Sequence, residues 1–487
     1  MFVALWQILQ SWHRFNRDEA GSGTIMGLFG AMTCLALTGI AIDTSNAWRT
    51  REQMRMTADA AAHAAAIVMA QGGSEDQIRE TALRLIEANM PEREFGQLYR
   101  NKYEAVRLVD FNAGSNSVVI GVENAVQVRL ERSRRLGNAI PTYLLQFAGI
   151  NDWQIAAGST TGVLESQRCS PSQGIYARGK VTLAAANDID RGYCIHGQEA
   201  VWLPQNNSFS AGAWVSMQDL VDCKNKCNDI ANPGIAATET NFILRDTADF
   251  INDMVLAFTE EGMTDQRVGL FFQGRPLASD LSALSEIGVD TTTLSQGDVV
   301  HLNQMQASRI RAFPAGLVYD VSCSGPHGQG RNLLEISEFS GGTTLRDAVL
   351  ITDCAIVFGE GGGVRGGIVI STNVNARSSI SAYQGAQIGT FGSDCSAEDQ
   401  SVILGVRGAN FPAGALLGNA ALVMGGDIDI AASPAHDTSP QIGIALHSGG
   451  DVRLATSHDL KACDDLPDDF LPDLRVIRMV VPGFHAG

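Results

Sequence analysis

The chain has 487 residues, a formal charge of -18, 45% hydrophobic residues and nine cysteines. Its length supports two or three domains rather than one, and its hydrophobic share is enough to build cores. The acidic balance excludes ordinary nucleic-acid binding, which rests on neutralising phosphates with Lys and Arg. With 51 Gly against 14 Pro, tight turns between small-residue strands are expected rather than Pro-rich disorder.

The first element in chain order is "GTIMGLFGAMTCLALTGIAID", residues 23–43, uncharged through Ile42. A helix needs about 20 apolar residues to cross a hydrocarbon core, whereas the apolar region of a secretory signal has about 7 to 15. Residues 23–42 therefore predict a transmembrane helix, preceded by a cytoplasmic segment 1–22. The alternative is a cleaved signal, with Arg14 and Arg17 before the apolar run and Ser45, Asn46 and Ala47 as a small-x-small site. Arg49, Arg51 and Arg55 follow the span, so charge alone does not orient it.

Cysteine positions supply the orientation. Cys34 lies within the span, and Cys169, Cys194, Cys223, Cys227, Cys323, Cys354, Cys395 and Cys463 all follow it. An even set on one side suits disulfides in an oxidising compartment such as the periplasm. The closest pair, Cys223 and Cys227, has neither a second pair nor a nearby His, so no metal site is expected there.

Beyond the span, "TSNAWRTREQMRMTADAAAHAAAIVMA" runs without Gly or Pro, and Met54, Ala58, Ala61, Ala65 and Val68 step by four and three. That is a heptad seam of mostly small residues, suited to close approach of a partner helix or to packing on its own domain.

Residues 17–66 resemble the amino-terminal segment of the TadG-like proteins of the Tad (Flp) pilus-assembly system. The resemblance rests on an Arg-Asp-x-x-Gly run (Arg17 to Gly21), an apolar helix, a Gly-x-Ala-x-Asp exit (Gly39, Ala41, Asp43) and the Ala-Asp-Ala-Ala run from Ala58 to Ala61. It implies a single-pass anchor in a bacterial inner membrane with its carboxyl-terminal bulk in the periplasm. It also implies a structural role without catalysis or cofactor, and as partners the lipid bilayer, other Tad pilus-assembly membrane proteins and pseudopilins. Prepilin-type processing would place Glu five residues after the cut; Met26 and Leu28 stand at the positions counted from Gly21 and Gly23.

A small α+β stem over 43–163 is expected next. A helix opens at Ser74 with the capping box Ser74-x-x-Gln77 and stops before Pro91. Three alternating strands follow in "YEAVRLVDF", "NSVVIGVEN" and "AVQVRLERS", then a helix near 142–147.

From Cys169 short apolar runs alternate with Gly and Asn, the rhythm of a β-helix or other solenoid, over 169–237 and again over 319–463. Residues 238–318 read as a helical insertion and 464–487 as a tail; a β-sandwich is the alternative for the β parts. The expected fold is thus a single amino-terminal transmembrane helix, a small α+β stem, and a mainly β head, solenoid-like with a helical insertion.

Catalytic motifs are sparse. There is no GxSxG or HExxH, and "GIYARGKV" has a P-loop's Gly174, Gly179 and Lys180 but Val181 where a magnesium-binding hydroxyl belongs. A carbohydrate-active β-helix would draw on acidic pairs such as Asp188 with Asp190, Asp427 with Asp429, or Asp464 with Asp465. A von Willebrand A-type metal site would use Asp320, Ser322 and Ser324 with Thr343, Thr344 and Asp353. Only eight residues separate Thr344 from Asp353, too few for a crossover helix, and Cys323 is expected in a disulfide instead. No catalytic, cofactor or metal residue is assigned.

Overall fold

The computed structural model describes residues 20–480 except 113–116, 120–123, 166–168, 224–225, 241, 324–331, 338–343, 362, 391–398, 432–440, 456–457 and 464–468. The chain divides into two compact units. One comprises Met1–Met69, Gly73–Val163 and Arg478–Gly487; the other comprises Ala70–Gly72 and Leu164–Ile477.

The first unit begins with one uninterrupted helix, α1, Ala20–Ala70. At 1.5 Å per residue its 51 residues extend about 77 Å, more than twice a bilayer core. From Thr24 to Thr38 it is exposed around the whole circumference, with Ile25, Leu28, Phe29, Met32, Leu35 and Leu37 all open. The second half is amphipathic and packed. The capping box forms as expected: Gln77 N–H donates to Ser74 Oγ, Ser74 N–H donates to Gln77 Oε1, and α2 runs Glu75–Asn89.

The stem sheet is antiparallel. Val106–Asn112 pairs with both Ser117–Val119 and Ala125–Arg132, and the latter pairs with Ile155–Glu165. Along Ala125–Arg132 the period of two is plain, with Val126, Val128 and Leu130 buried and Arg129 exposed. The predicted helix near 142–147 is a single 3-10 turn, Leu145–Ala148, within a loop whose base is closed by Ile140 pairing with Trp153.

The second unit is a parallel solenoid of three-strand coils. One coil contains Ser401–Gly405, Gly408–Phe411 and Leu416–Gly418, and each strand hydrogen-bonds in parallel to its equivalents in neighbouring coils. Among the described residues the largest face has eleven strands. Through it runs an inward ladder in the order Val300, Tyr319, Leu350, Val369, Ile403, Leu422, Leu446, Ile175, Ile195, Val215. All ten belong to one continuous core.

That order is not the chain order. The last coil stacks on the first, through Leu446 with Ile175, Val452 with Val181 and Leu460 with Ile189, one pair on each face. The two β stretches form one stack in which 299–461 precedes 174–239.

The insertion makes this possible. After the strand Ala237–Glu239 at one end of the large face, α3 (Thr247–Leu256) and α4 (Gln266–Phe272) lie on its outer surface, and the chain re-enters at the other end with Val299–Asn303. The apolar side chains of these helices and of the turn between them, Phe250, Met254, Phe258, Phe271 and Phe272, form a second core with Val349, Ile370, Leu404 and Val423. Outward strand positions are therefore apolar too, which explains the continuous apolar runs. The helical segment is shorter than 238–318: "GDVVHLNQMQASRIRAF" supplies a strand and only one helical turn, Gln304–Ala307, because Val300 and Leu302 belong to the solenoid interior.

Candidate functional site

At the end of the apolar span, α1 meets the loop around Tyr143. Asp43 is 1% exposed and accepts three backbone hydrogen bonds, from Tyr143 N–H at 2.8 Å, Leu144 N–H at 3.0 Å and Leu145 N–H at 2.8 Å. Burial by itself raises its pKa, but the three N–H donors outweigh that and hold the carboxyl below its ordinary value. One helical turn earlier, a Cβ on Gly39 would lie 2.9 Å from the Leu144 Cβ, so glycine permits the loop to approach the helix. The Gly-x-Ala-x-Asp exit is thus a loop-docking device, with spacing of four placing Gly39 and Asp43 on one helix face.

The loop is held by its own bonds. Thr142 N–H donates to Asn151 C=O at 3.0 Å, and Ile150 N–H donates to Leu145 C=O at 3.1 Å. The Thr142 hydroxyl donates to Ile150 C=O, and Gly149 closes the turn at a φ of 84°. Tyr143 and Phe147 nevertheless point outward, Phe147 being 86% exposed.

Of the heptad seam, Met54, Ala58, Ala61 and Ala65 have no accessible surface and Val68 is half-buried. Within the chain this stripe is already covered.

The cysteines bridge as Cys169–Cys194, Cys223–Cys227 and Cys323–Cys354, and Cys463 is also disulfide-bonded. Cys395 lies outside the described residues, and Cys34 is a free thiol on the apolar helix. The alternative metal set dissolves at the same place. Cys323 is bridged, its N–H bonds to an Asp353 carboxylate oxygen, and Asp320 faces His301 Nδ1 at 2.9 Å. Asp320 and Ser322 stand on a solenoid strand, Val318–Ser322, instead of at the mouth of a doubly wound sheet; Ser324 and Thr343 lie outside the described residues.

The P-loop-like run has a structural role. Gly174 and Gly179 lie in the first coil, where Gly179 N–H donates to Gly450 C=O at 2.9 Å and Lys180 N–H donates to Asp451 Oδ1 at 2.9 Å. A Cβ on Gly179 would sit 2.3 Å from that same carboxylate oxygen. Its glycine serves the junction of last and first coils rather than a phosphate.

Among the acidic pairs, Asp427 and Asp429 are tied by Arg453 at 3.6 and 3.1 Å, together with Asp451 at 2.9 Å; Asp464 and Asp465 lie outside the described residues. Asp188 heads a strand of the junction, paired with Asp459. His196 is fully buried, its Nδ1 2.9 Å from Ser216 Oγ and its ring edge-on to Phe242, and desolvation pushes its pKa down to about 3. It is a neutral packing residue. A concavity of about 520 Å³ lies beside the coil at Ala312–Phe313 and is lined by Asp280, Glu286, Arg309 and Arg311.

Together these features describe a chain with an amino-terminal helix long and apolar enough to cross a membrane, a packed α+β stem and a disulfide-bonded parallel β-solenoid. Residues 174–464 match the family model "Domain of unknown function (DUF7867)", and the chain belongs to that family. Residues 21–70 match the model "Putative Flp pilus-assembly TadE/G-like", in agreement with the resemblance read from the sequence and tying the chain to Flp pilus assembly. Comparison with curated proteins and with solved structures returns no match.

Proposed function

We propose that the protein is a structural component of Tad/Flp pilus assembly, fixed in the bacterial inner membrane by residues 23–42. Its stem and head stand in the periplasm and act there by binding protein partners rather than by catalysis. The observation that carries this reading is the Tad-type match over 21–70, coincident with a helix long and apolar enough to cross a membrane and followed by a disulfide-bonded head. Inward, mostly aliphatic ladders and disulfides make the head rigid, which suits a surface presented to other envelope components.

The test is replacement in the host of the full chain by one whose span is exchanged for a cleavable export signal. Loss of surface pili with normal amounts of exported head supports an anchored assembly role. Normal piliation in that strain, or in a strain lacking the chain altogether, rejects it.

One feature favours a second reading, carbohydrate binding by the head: the groove in which Asp280, Glu286, Arg309 and Arg311 converge. Titration of the full chain with envelope-derived oligosaccharides, with Arg309→Ala as comparison, separates the two.

A further inference from the structure

We propose that the loop from Thr142 to Ile150 is a second membrane contact, inserting Phe147, Tyr143 and Ile150 into the headgroup boundary of the same bilayer that α1 crosses. The inference rests on the reading of residues 23–42 as a membrane span, and it adds a site that the span does not itself require.

Three observations place the loop at that depth. It touches α1 at Gly39 and Asp43, the last turn of the uncharged run, so Leu144 sits beside the span instead of above it. Counting 20 residues back from Ile42 reaches Gly23, so Asp43 marks the outer edge of an apolar length of about 30 Å. Gly39 then lies about 6 Å below that edge, within the 5–10 Å at which interfacial apolar elements settle.

The side chains and backbone suit this setting. Tyr143, Phe147 and Ile150 are 60%, 86% and 44% exposed in a loop that spends its backbone polarity internally. Nine-residue turns normally leave amides to water. Here three N–H groups are satisfied by Asp43, which removes the penalty that would keep them out of a low-dielectric boundary. Aromatic residues favour this level of the bilayer, and Trp48, 64% exposed one turn further along α1, extends the girdle. The stem side of the boundary also carries Arg49, Arg51 and Arg55, which suit anionic headgroups.

The occupant is therefore lipid, and the test reads immersion directly. The full chain in a Cys34→Ser background, carrying Phe147→Cys, is labelled with an environment-sensitive fluorophore and reconstituted into vesicles of phosphatidylethanolamine and phosphatidylglycerol. The same label at Tyr103→Cys, an exposed stem position, is the aqueous reference; the label on native Cys34 of the unsubstituted chain reports the span. The expected result is quenching of the Phe147 label by headgroup-depth lipid quenchers, a blue shift, and loss of iodide quenching relative to position 103. Iodide quenching at 147 equal to that at 103, with Cys34 shielded, overturns the loop contact while leaving the span intact. An iodide-accessible Cys34 label overturns the span reading and the loop contact with it. Shielding of 147 in native membranes but not in protein-free vesicles assigns the patch to a protein and also overturns the proposal.

Discussion

The stem and the head solve the problem of stability by opposite means. Residues 43–163 carry 13 Lys and Arg against 14 Asp and Glu and no cysteine, whereas 164–477 carry 19 against 37 and eight cysteines. Nearly all of the chain's acidity therefore belongs to the solenoid. The stem packs one long helix, a short helix and an antiparallel sheet; the head repeats the same inward apolar position coil after coil and covers much of the outer face with helices. Near-neutral charge suits a unit beside anionic headgroups, and a strongly acidic surface keeps a large β-stack soluble and discourages edge-to-edge association.

The largest difference between the units lies in their cores. Phe258→Ala, which empties a fully buried position beneath the insertion helices, should lower head stability by about 3 to 5 kcal/mol, while Phe147→Ala, on the exposed stem loop, should be neutral within about 0.5 kcal/mol. Denaturant unfolding checks both, followed by the head tryptophans Trp202 and Trp214 for the first and by the stem Trp153 for the second.

Next comes covalent closure. Loss of the Cys323–Cys354 bridge, whose partners are 31 residues apart, should cost the head about 3 to 4 kcal/mol by loop-closure entropy. The four-residue Cys223–Cys227 link should matter about half as much. Thermal melts of Cys323→Ser and Cys223→Ser compare them, and equal losses would show that closed-loop length does not govern the head.

Acid should separate the units as well. His196 has its pKa pushed down to about 3 and His458 down to about 4, both by burial. The unfolded chain protonates near the ordinary value of about 6.5, so the unfolded state binds protons first. Their contribution to stability is complete above about 6.5 and is lost as the pH falls from there toward about 3 to 4. At pH 4.5 each should have withdrawn about 2 to 3 kcal/mol. His196→Gln should flatten this dependence in the head; an unchanged pH profile would mean that the ring ionises without unfolding.

The smallest expected effect is local and lies in the stem. Asp43→Ala leaves the Tyr143, Leu144 and Leu145 amides without their acceptor and should speed hydrogen exchange at those three positions while the sheet amides of Ala125–Arg132 keep their protection. Gly39→Leu, forcing a side chain against Leu144, should do the same.

Much of this was legible in the sequence where the signal is local. The capping box at Ser74 and Gln77 formed, the alternation through Val126, Val128 and Leu130 marked a strand, and the Gly- and Asn-punctuated runs marked solenoid coils. The order of the coils was not legible. Leu446 stacks on Ile175, yet Ile175 would be an equally good neighbour for Ile403 or Val369, because every coil presents the same kind of aliphatic residue. Val300 and Leu302 were misread as helical because Val299–Asn303 is directly followed by a helical turn. The Asp43 site was half legible: the Gly-x-Ala-x-Asp pattern was seen, but nothing in the spacing pointed to a loop 100 residues later.

The stacking of last coil on first has a mechanical consequence. The chain enters the head at Gly174–Ala177, the fourth strand of eleven in the large face, with a hydrogen-bonded neighbour on either side. Tension arriving along the polypeptide from residue 164 is thus applied to interior strands, to Gly174–Ala177 through the backbone and to Cys194–Gly197 through the Cys169–Cys194 bridge. To extract them, the load must shear ladders on both sides at once; an end coil, bonded along a single edge, could be peeled away one bond after another. A tether attached in this way resists pulling without any increase in thermodynamic stability.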